Sequence, residues 1–158
     1  MIDPKRLAAE IISSLLILLF VYTALSKLLD YPLFRLQLGK SPFITAYAGL
    51  VAWSLPVSEL LVAIALVFKP TRIAGLYASL FLMTMFTAYI YAMLEYSYDI
   101  PCSCGGILSK LGWREHLWFN SGCVVLCIAG IMLQSILAET ARAVRDGKLP
   151  GFVYTAIS

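Results

Sequence analysis

Apolar residues fill four long stretches of the chain, and polar residues are concentrated between them. Each stretch is long enough to cross a bilayer as a helix, which takes about 20 residues. The predicted spans are residues 7–26, 43–68, 73–94 and 116–138, with a loop over 95–115 and a tail over 139–158. This pattern predicts an all-α fold, a polytopic membrane four-helix bundle in which residues 1–158 form a single transmembrane domain.

Composition agrees with this class of protein. The chain is 61% hydrophobic and 13% charged, and its mean hydropathy is +0.86, whereas soluble domains carry about 25% charged residues. The net charge of +3 is ordinary for a membrane protein and gives no reason to expect a nucleic-acid partner. The composition therefore predicts a protein embedded in the lipid bilayer.

The distribution of Lys and Arg predicts the orientation. The first span resembles a secretory signal, but its apolar run is longer than a signal core, so we expect it to remain as an anchor. With the N-terminus inside, seven basic residues fall on the inner side and five on the outer side, which favours cytoplasmic termini. The predicted location is the bacterial inner membrane, with the loop 95–115 extracytoplasmic and the last helix continuing toward Pro150 and Gly151.

Two connections carry predictions of their own. The turn at residues 69–72 is short, so the second and third spans should be adjacent and antiparallel. Residues 27–42 alternate apolar and basic positions, which is typical of a short amphipathic segment at the membrane interface.

The loop between the third and fourth spans contains the sequence PCSCGG at residues 101–106. Two thiols one residue apart, Cys102 and Cys104, suit redox exchange or soft-metal binding better than packing, and an extracytoplasmic compartment preserves disulfides. A disulfide closed across one residue is geometrically tight, which would make the pair a better oxidant. A purely structural disulfide, or two unpaired loop cysteines, is the alternative.

Polar residues on the fourth span recur at helical spacing. Five of them share one face within about 40°: His116, Asn120, Cys123, Cys127 and Gln134. A weaker stripe on the third span consists of Thr84, Thr87, Tyr91 and Glu95. We expect the stripes to meet in a polar seam that opens toward the outer face, where Asn120, Cys127 and Tyr91 would contact a cofactor. The alternatives are that the cysteines pack as small apolar residues, that His116 is a helix cap and that the amides join helices.

Glu59 is the only ionisable residue far from the end of a predicted span. A carboxyl group inside a membrane is costly, so it is a functional candidate by default. It would be protonated, pair with Lys27 or relay protons to a quinone. A structural carboxyl that holds the bundle together is an equal alternative.

Several short motifs resemble the DoxX-like membrane family. They are YTALSKLLD at 22–30, PVSE at 56–59 and TRIAG at 71–75. The CxCGG loop, followed by Trp113 and by HLWFN at 116–120, looks like the MauE branch of that family, the methylamine utilisation protein E type. The resemblance covers approximately residues 22–133. It implies a redox-associated role for Cys102 and Cys104, with His116 and Asn120 as neighbours, in disulfide formation or maturation of extracytoplasmic partners beside a thioredoxin-like protein.

The leading hypothesis is thiol–disulfide exchange between Cys102–Cys104 and a thioredoxin-like or client protein outside the membrane, the chemistry of a thiol–disulfide oxidoreductase. The predicted catalytic residues are Cys102, Cys104, His116, Cys123 and Glu59. A protonated His116 would favour one thiolate, and electrons would pass to or from a quinone, through Cys123. Two alternatives stay open. One is a non-catalytic subunit of a larger membrane complex, and the other is a Cu(I) or Zn(II) site formed by Cys102, Cys104 and His116 above Met83 and Met85.

Overall fold

The computed structural model describes residues 3–41, 43–96 and 112–147. Within these ranges the chain is helical and contains no strand. The helices are α1 (Pro4–Leu29), α2 (Tyr31–Gly39), α3 (Ala48–Val67), α4 (Arg72–Tyr96) and α5 (Trp113–Arg145), and a 3₁₀ turn (Thr45–Tyr47) precedes α3. Four segments are long and apolar enough to cross a membrane: α1, α3 with its preceding turn, α4 and α5. The predicted all-α, multi-pass membrane fold is confirmed.

The ends of the helices differ most from the predicted spans in two places, the start of α3 and the end of α5. The second span was expected to begin at residue 43, but α3 begins at Ala48 because residues 45–47 form the 3₁₀ turn. The last helix passes residue 138, as expected, and ends at Arg145. Gly147 then takes a φ of +70°, a left-handed conformation that commonly ends a helix. The prediction that this helix continues to Pro150 is wrong, and Pro150 itself lies outside the described residues.

The four long helices form a ring around a common interior. Helix α1 contacts α3 and α5, and α4 contacts the same two helices. Successive long helices cross the bundle in opposite directions, so every neighbour in the ring is antiparallel, and the predicted adjacency of the second and third spans is confirmed. The interior is packed around large apolar side chains: Leu16, Phe20, Leu66, Leu76 and Met83.

Helix α2 is the short amphipathic segment that the sequence predicts between the first two spans. It buries Phe34 and Leu38 against Ala48 and Ala52 of α3. Its other face is exposed. The connection between α1 and α3 is therefore a packed helix that covers one end of the ring.

Ser41, at the end of this connection, is hydrogen-bonded to α4. Its side chain is fully buried, and its hydroxyl accepts a hydrogen bond from Tyr89 at 3.0 Å. The same hydroxyl lies 3.8 Å from the sulfur of Met93, to which it donates. Both partners lie in the last two turns of α4, so the end of the bundle near α2 is held from two sides.

The opposite end of the bundle is closed by the turn between α3 and α4. Arg72 is buried, and its Nε donates to the carbonyl of Leu66 at 3.1 Å while its Nη1 lies 2.6 Å from Oε1 of Glu10. Thr71 donates to the carbonyl of Ala65 at 2.9 Å. These bonds satisfy carbonyls at the end of α3 that have no partner within the helix. The ion pair with Glu10 was not predicted, because its two residues lie at the ends of different spans.

Gly75 sets the separation of α3 and α4 beside this turn. A Cβ atom at this position would lie 3.0 Å from the backbone nitrogen of Leu66 and 3.1 Å from the carbonyl carbon of Ala65. Backbone atoms cannot rotate out of the way, so any side chain here would push the two helices apart.

We expect Gly75→Ala to lower the thermal unfolding temperature of the protein in detergent, measured by circular dichroism. The matched control is Gly122→Ala, where a Cβ would meet nothing within 4 Å and the better helix propensity of alanine adds about 1 kcal/mol. An unfolding temperature for Gly75→Ala equal to or above that of the control would contradict this account of the α3–α4 contact.

Candidate functional site

A buried ion pair joins α1 to α3 near the end of the bundle that α2 covers. Nζ of Lys27 lies 2.7 Å from Oε1 and 3.1 Å from Oε2 of Glu59. The exposed fraction is 0% for Glu59 and 7% for Lys27. Lys27 also donates to the carbonyl of Thr23 at 3.3 Å. Pairing with Lys27, one of the three states predicted for Glu59, is confirmed.

Two aromatic rings flank the ammonium group of Lys27. Nζ lies 6.0 Å from the ring centroid of Phe34 and 5.9 Å from that of Phe86, within the range of a cation–π contact. Phe34 belongs to α2 and Phe86 to α4. The side chain of Lys27 is therefore the point at which α1, α2, α3 and α4 meet.

The ion pair forms part of the wall of a cavity of about 340 Å³. This volume lies within the range of small-molecule pockets, about 300–1,000 Å³. All five helices contribute to the wall. The lining residues are Leu19, Thr23, Lys27, Phe34, Leu38, Ile44, Val51, Leu55, Glu59, Phe81, Leu82, Met83, Met85, Phe86, Tyr89, Ile90, Trp113, His116, Phe119 and Asn120.

His116 and Asn120 supply further polar groups to the cavity from the first two turns of α5. Their exposed fractions are 8% and 4%. Within residues 3–41, 43–96 and 112–147, neither side chain makes a hydrogen bond, although the backbone N–H of His116 donates to the carbonyl of Gly112 at 2.9 Å. Buried polar groups in proteins are nearly always hydrogen-bonded. The imidazole and the amide are thus oriented toward the cavity with their hydrogen-bonding capacity unused by the described part of the protein.

The cavity reaches the lipid-facing surface of the bundle between α3 and α4. Val51 and Leu55 line it from α3, and Phe81 and Met85 line it from α4. Phe81 and Met85 are 65% and 54% exposed, so the same side chains border both the cavity and the outside of the bundle. The α3–α4 side of the wall therefore faces both the cavity and the lipid.

Cys123 and Cys127 lie one and two turns below Asn120 and outside the cavity. Both thiols are free and buried, in the apolar core beside Leu16, Phe20 and Met83. With His116 and Asn120 they lie on the predicted stripe of α5, whose inward orientation is confirmed for these four residues, whereas Gln134, the fifth member, is only half-buried. Cys127 was expected to contact a cofactor together with Asn120, but the structure places the two in different surroundings.

Tyr91 lies on another side of the bundle. With Thr84 and Thr87 it lines a shallow groove between α4 and α5, opposite Trp118 and Ser121, and it is 55% exposed. The prediction of one seam that joins the polar stripes of α4 and α5 is therefore wrong. The hydroxyls of Thr84 and Thr87 each donate to the carbonyl four residues earlier, at 2.7 Å, so these side chains need no partner inside the bundle.

Cys102 and Cys104 lie outside the described residues. The chain that carries them leaves α4 at Tyr96 and enters α5 at Trp113. Trp113 and His116 both line the cavity. The segment with the cysteine pair therefore joins the bundle at the end that contains the cavity.

The described residues contain no group of three or more His, Cys, Asp or Glu side chains that could hold a metal ion. The two methionines considered as soft ligands face different surroundings, since Met83 is 3% and Met85 54% exposed. A thiolate site that includes Cys102 and Cys104 lies outside this test.

The family model for methylamine utilisation protein MauE matches residues 5–133. The chain belongs to the MauE family. The match includes every residue that lines the cavity and also the CxCGG loop, and it ends before the last turns of α5. The predicted MauE branch is confirmed, and membership of a wider DoxX-like family stays a prediction. Neither a curated protein nor a solved structure matches the chain significantly.

Several lining residues of this MauE protein were not predicted as part of the site. Phe34, Phe86 and Tyr89 come from helices whose apolar residues all look alike in sequence. Lys27 was considered only as a partner of Glu59. The one signal in the sequence was the position of Lys27 in the last turn of the first apolar helix.

We expect Lys27→Met to lower the free energy of unfolding by about 3–5 kcal/mol, because it leaves the carboxylate of Glu59 buried and unpaired. The double variant Lys27→Met/Glu59→Met should recover most of this loss, since it removes both charges. Chemical unfolding in mixed micelles, followed by tryptophan fluorescence, measures both values.

The control for this experiment is Arg72→Met at the ion pair with Glu10. Glu10 has a side chain that is 41% exposed, so its carboxylate remains hydrated and no buried charge is left. If Lys27→Met and the double variant were equally unstable, the loss would come from packing and not from an unpaired charge.

Proposed function

We propose that this MauE-family membrane protein performs thiol–disulfide exchange through Cys102 and Cys104 with a thioredoxin-like or client protein on the extracytoplasmic side. The observation that carries the proposal is the separation of its four cysteines into two pairs. Cys123 and Cys127 are enclosed in the apolar core, where no partner protein can reach them. The pair that remains is carried by the segment that enters α5 beside His116.

The exchange conserves electrons and atoms between the two proteins. A thiolate of the reduced partner attacks one sulfur of the Cys102–Cys104 disulfide, that S–S bond breaks, and a mixed disulfide forms. The second thiol of the partner then attacks the mixed disulfide. The partner leaves oxidised, and Cys102 and Cys104 are left as two thiols. The reverse sequence reduces the partner.

His116 supports this proposal by its position. It follows Cys104 by 12 residues and lies at the start of α5 with its imidazole toward the cavity. A neutral imidazole within reach of a thiol accepts its proton, and the resulting thiolate is both the nucleophile and the leaving group of the exchange. We assign His116 to this role, and Glu59 to a charge partner of Lys27 that keeps the neighbouring wall neutral.

This function requires the loop with Cys102 and Cys104 to be extracytoplasmic, and the distribution of Lys and Arg predicts that orientation. The N-terminus, the α3–α4 turn and the end of α5 share one end of the bundle, and this is the end with the larger number of Lys and Arg residues. By the positive-inside rule that end is cytoplasmic. Cys102 and Cys104 then face the compartment outside the inner membrane, where disulfides persist.

We expect Cys102 and Cys104 to form a reducible disulfide in intact cells. The test uses the variant Cys123→Ala/Cys127→Ala, which leaves only the loop pair, and a membrane-impermeant maleimide applied before and after a mild reductant. Labelling of the loop peptide only after reduction is the expected result, read by mass spectrometry.

The control is the reciprocal variant, Cys102→Ser/Cys104→Ser, which should stay unlabelled in both conditions because its remaining thiols are buried. Loop cysteines that react without reductant would argue against a stored disulfide. Loop cysteines that react only after chelation would identify the metal site instead, and a loop that never reacts would be cytoplasmic.

Single replacements should trap the partner. In Cys104→Ser or Cys102→Ser the remaining thiol has no neighbour to resolve a mixed disulfide, so a covalent adduct should accumulate that disappears on reduction in a gel. The double serine variant should give no adduct. If the serine variants form no adduct and leave extracytoplasmic disulfides intact but lose a co-purifying membrane complex, the protein is an assembly subunit and the exchange proposal fails.

A further inference from the structure

The cavity beside Lys27 and Glu59 has the properties of a binding site for a particular class of molecule. Its wall is mostly apolar, and the polar side chains that the described residues contribute are the Lys27–Glu59 ion pair, the imidazole of His116, the amide of Asn120 and the hydroxyls of Thr23 and Tyr89. The ion pair is closed on itself at 2.7 Å, so it contributes no net charge. Among the described lining residues, an anionic head group would find no cation without a partner, and a cationic head group would find no such carboxylate.

His116 and Asn120, which make no side-chain hydrogen bond to another described residue, determine what the ligand must carry. Asn120 offers two N–H donors and one acceptor, and the imidazole of His116 offers at least one N–H donor. Both are more than nine-tenths buried, so a ligand that left them unpaired would bind more weakly by the cost of desolvating each group. A pure hydrocarbon chain cannot satisfy them, whereas a ligand with carbonyl oxygens can.

The aromatic residues around the cavity determine the shape of the ligand. Phe34, Phe86 and Trp113 border it from α2, α4 and α5. Aromatic rings pack best against the faces and edges of other planar rings. Phe81 and Met85 of α4 and the facing side of α3 lie between the cavity and the lipid, so the tail of a membrane-soluble molecule that passes between them remains in the bilayer while its ring enters.

We propose that this cavity binds the ring of a membrane quinone, with its carbonyl oxygens accepting hydrogen bonds from Asn120 and His116 and its tail leaving between α3 and α4. The inference deepens the thiol–disulfide exchange proposed above and rests on it for the redox partner. Two thiols and one quinone give one disulfide and one quinol, since the two electrons and two protons lost by Cys102 and Cys104 are those the quinone gains. The quinone is the oxidant that renews the disulfide.

The chain offers a direct probe of binding at this site. It contains three tryptophans, of which Trp113 lines the cavity, while Trp53 and Trp118 are 59% and 78% exposed on the outside. The variant Trp53→Phe/Trp118→Phe therefore reports from the cavity wall alone. Titration of this variant in nanodiscs with decylubiquinone should quench the fluorescence of Trp113 to a saturating level.

Replacement of the hydrogen-bonding residues should weaken this binding. In the single-tryptophan background, Asn120→Leu and His116→Leu are each expected to raise the apparent Kd about tenfold, the effect of about 1.4 kcal/mol. Ser121→Ala is the matched control, because Ser121 lies on α5 but faces the outer groove, and its Kd should not change. Equal affinities in all four proteins, or quenching that never saturates, would overturn the site.

Oleic acid and decane distinguish a quinone from an ordinary lipid chain. Neither should displace decylubiquinone. Decane has no polar group that could pair with Asn120 or His116. The carboxylate of oleate would need a cation, and Lys27 is already paired with Glu59. Displacement by either one at similar concentration would identify an acyl-chain site and refute the assignment.

The link to the cysteines is measured separately. The reduced protein, mixed anaerobically with decylubiquinone, should convert one quinone to quinol per protein, followed by absorbance, and Cys102→Ser/Cys104→Ser should convert none while its Kd is unchanged. Saturable binding without turnover would keep the site and remove the exchange mechanism. A loop disulfide in cells together with no quinone binding would keep the exchange and refute the site.

Discussion

Two opposite charges inside an apolar bundle must be paired, because each costs several kcal/mol to desolvate alone. Lys27 and Glu59 meet this condition, and their pairing fixes α1 against α3 while Phe34 and Phe86 bring α2 and α4 to the same point. A pair of apolar residues of similar volume would hold the helices as well or better. Stability alone therefore does not explain the ion pair. Its distinctive contribution is a polar wall that carries no net charge, next to a cavity.

The two ends of the bundle differ in how α3 and α4 are held together. At one end a short turn, the ion pair of Arg72 with Glu10 and the close approach at Gly75 bring α3 and α4 together. At the other end Ser41 bonds to α4 and α2 packs against α3, and both α3 and α4 line the cavity. The two helices are thus held close together at one end and line a cavity at the other, without any break in the long helices.

The sequence predicted most of the fold because four apolar stretches in lipid have few alternatives to spanning helices. It also predicted the inward stripe of α5 and offered the pair of Lys27 with Glu59, since polar groups avoid lipid. It failed for Tyr91 and the threonines of α4, because a threonine that bonds to its own helix can face outward at little cost. The cavity could not be predicted, since its wall is assembled from apolar residues of five helices whose periodicity does not reveal which of them stop short of contact.

A ligand that enters the cavity between α3 and α4 comes from the bilayer. A molecule that reaches the protein through the bilayer is already concentrated there, so its occupancy depends on its mole fraction among the lipids and on its effective local concentration. Modest affinity is then enough to fill the site. Discrimination becomes the harder task, because acyl chains outnumber every minor membrane component at the opening. His116 and Asn120 discriminate against these chains, because an occupant without oxygen atoms would leave both side chains without a hydrogen-bond partner. The site therefore excludes the lipid chains that surround the protein.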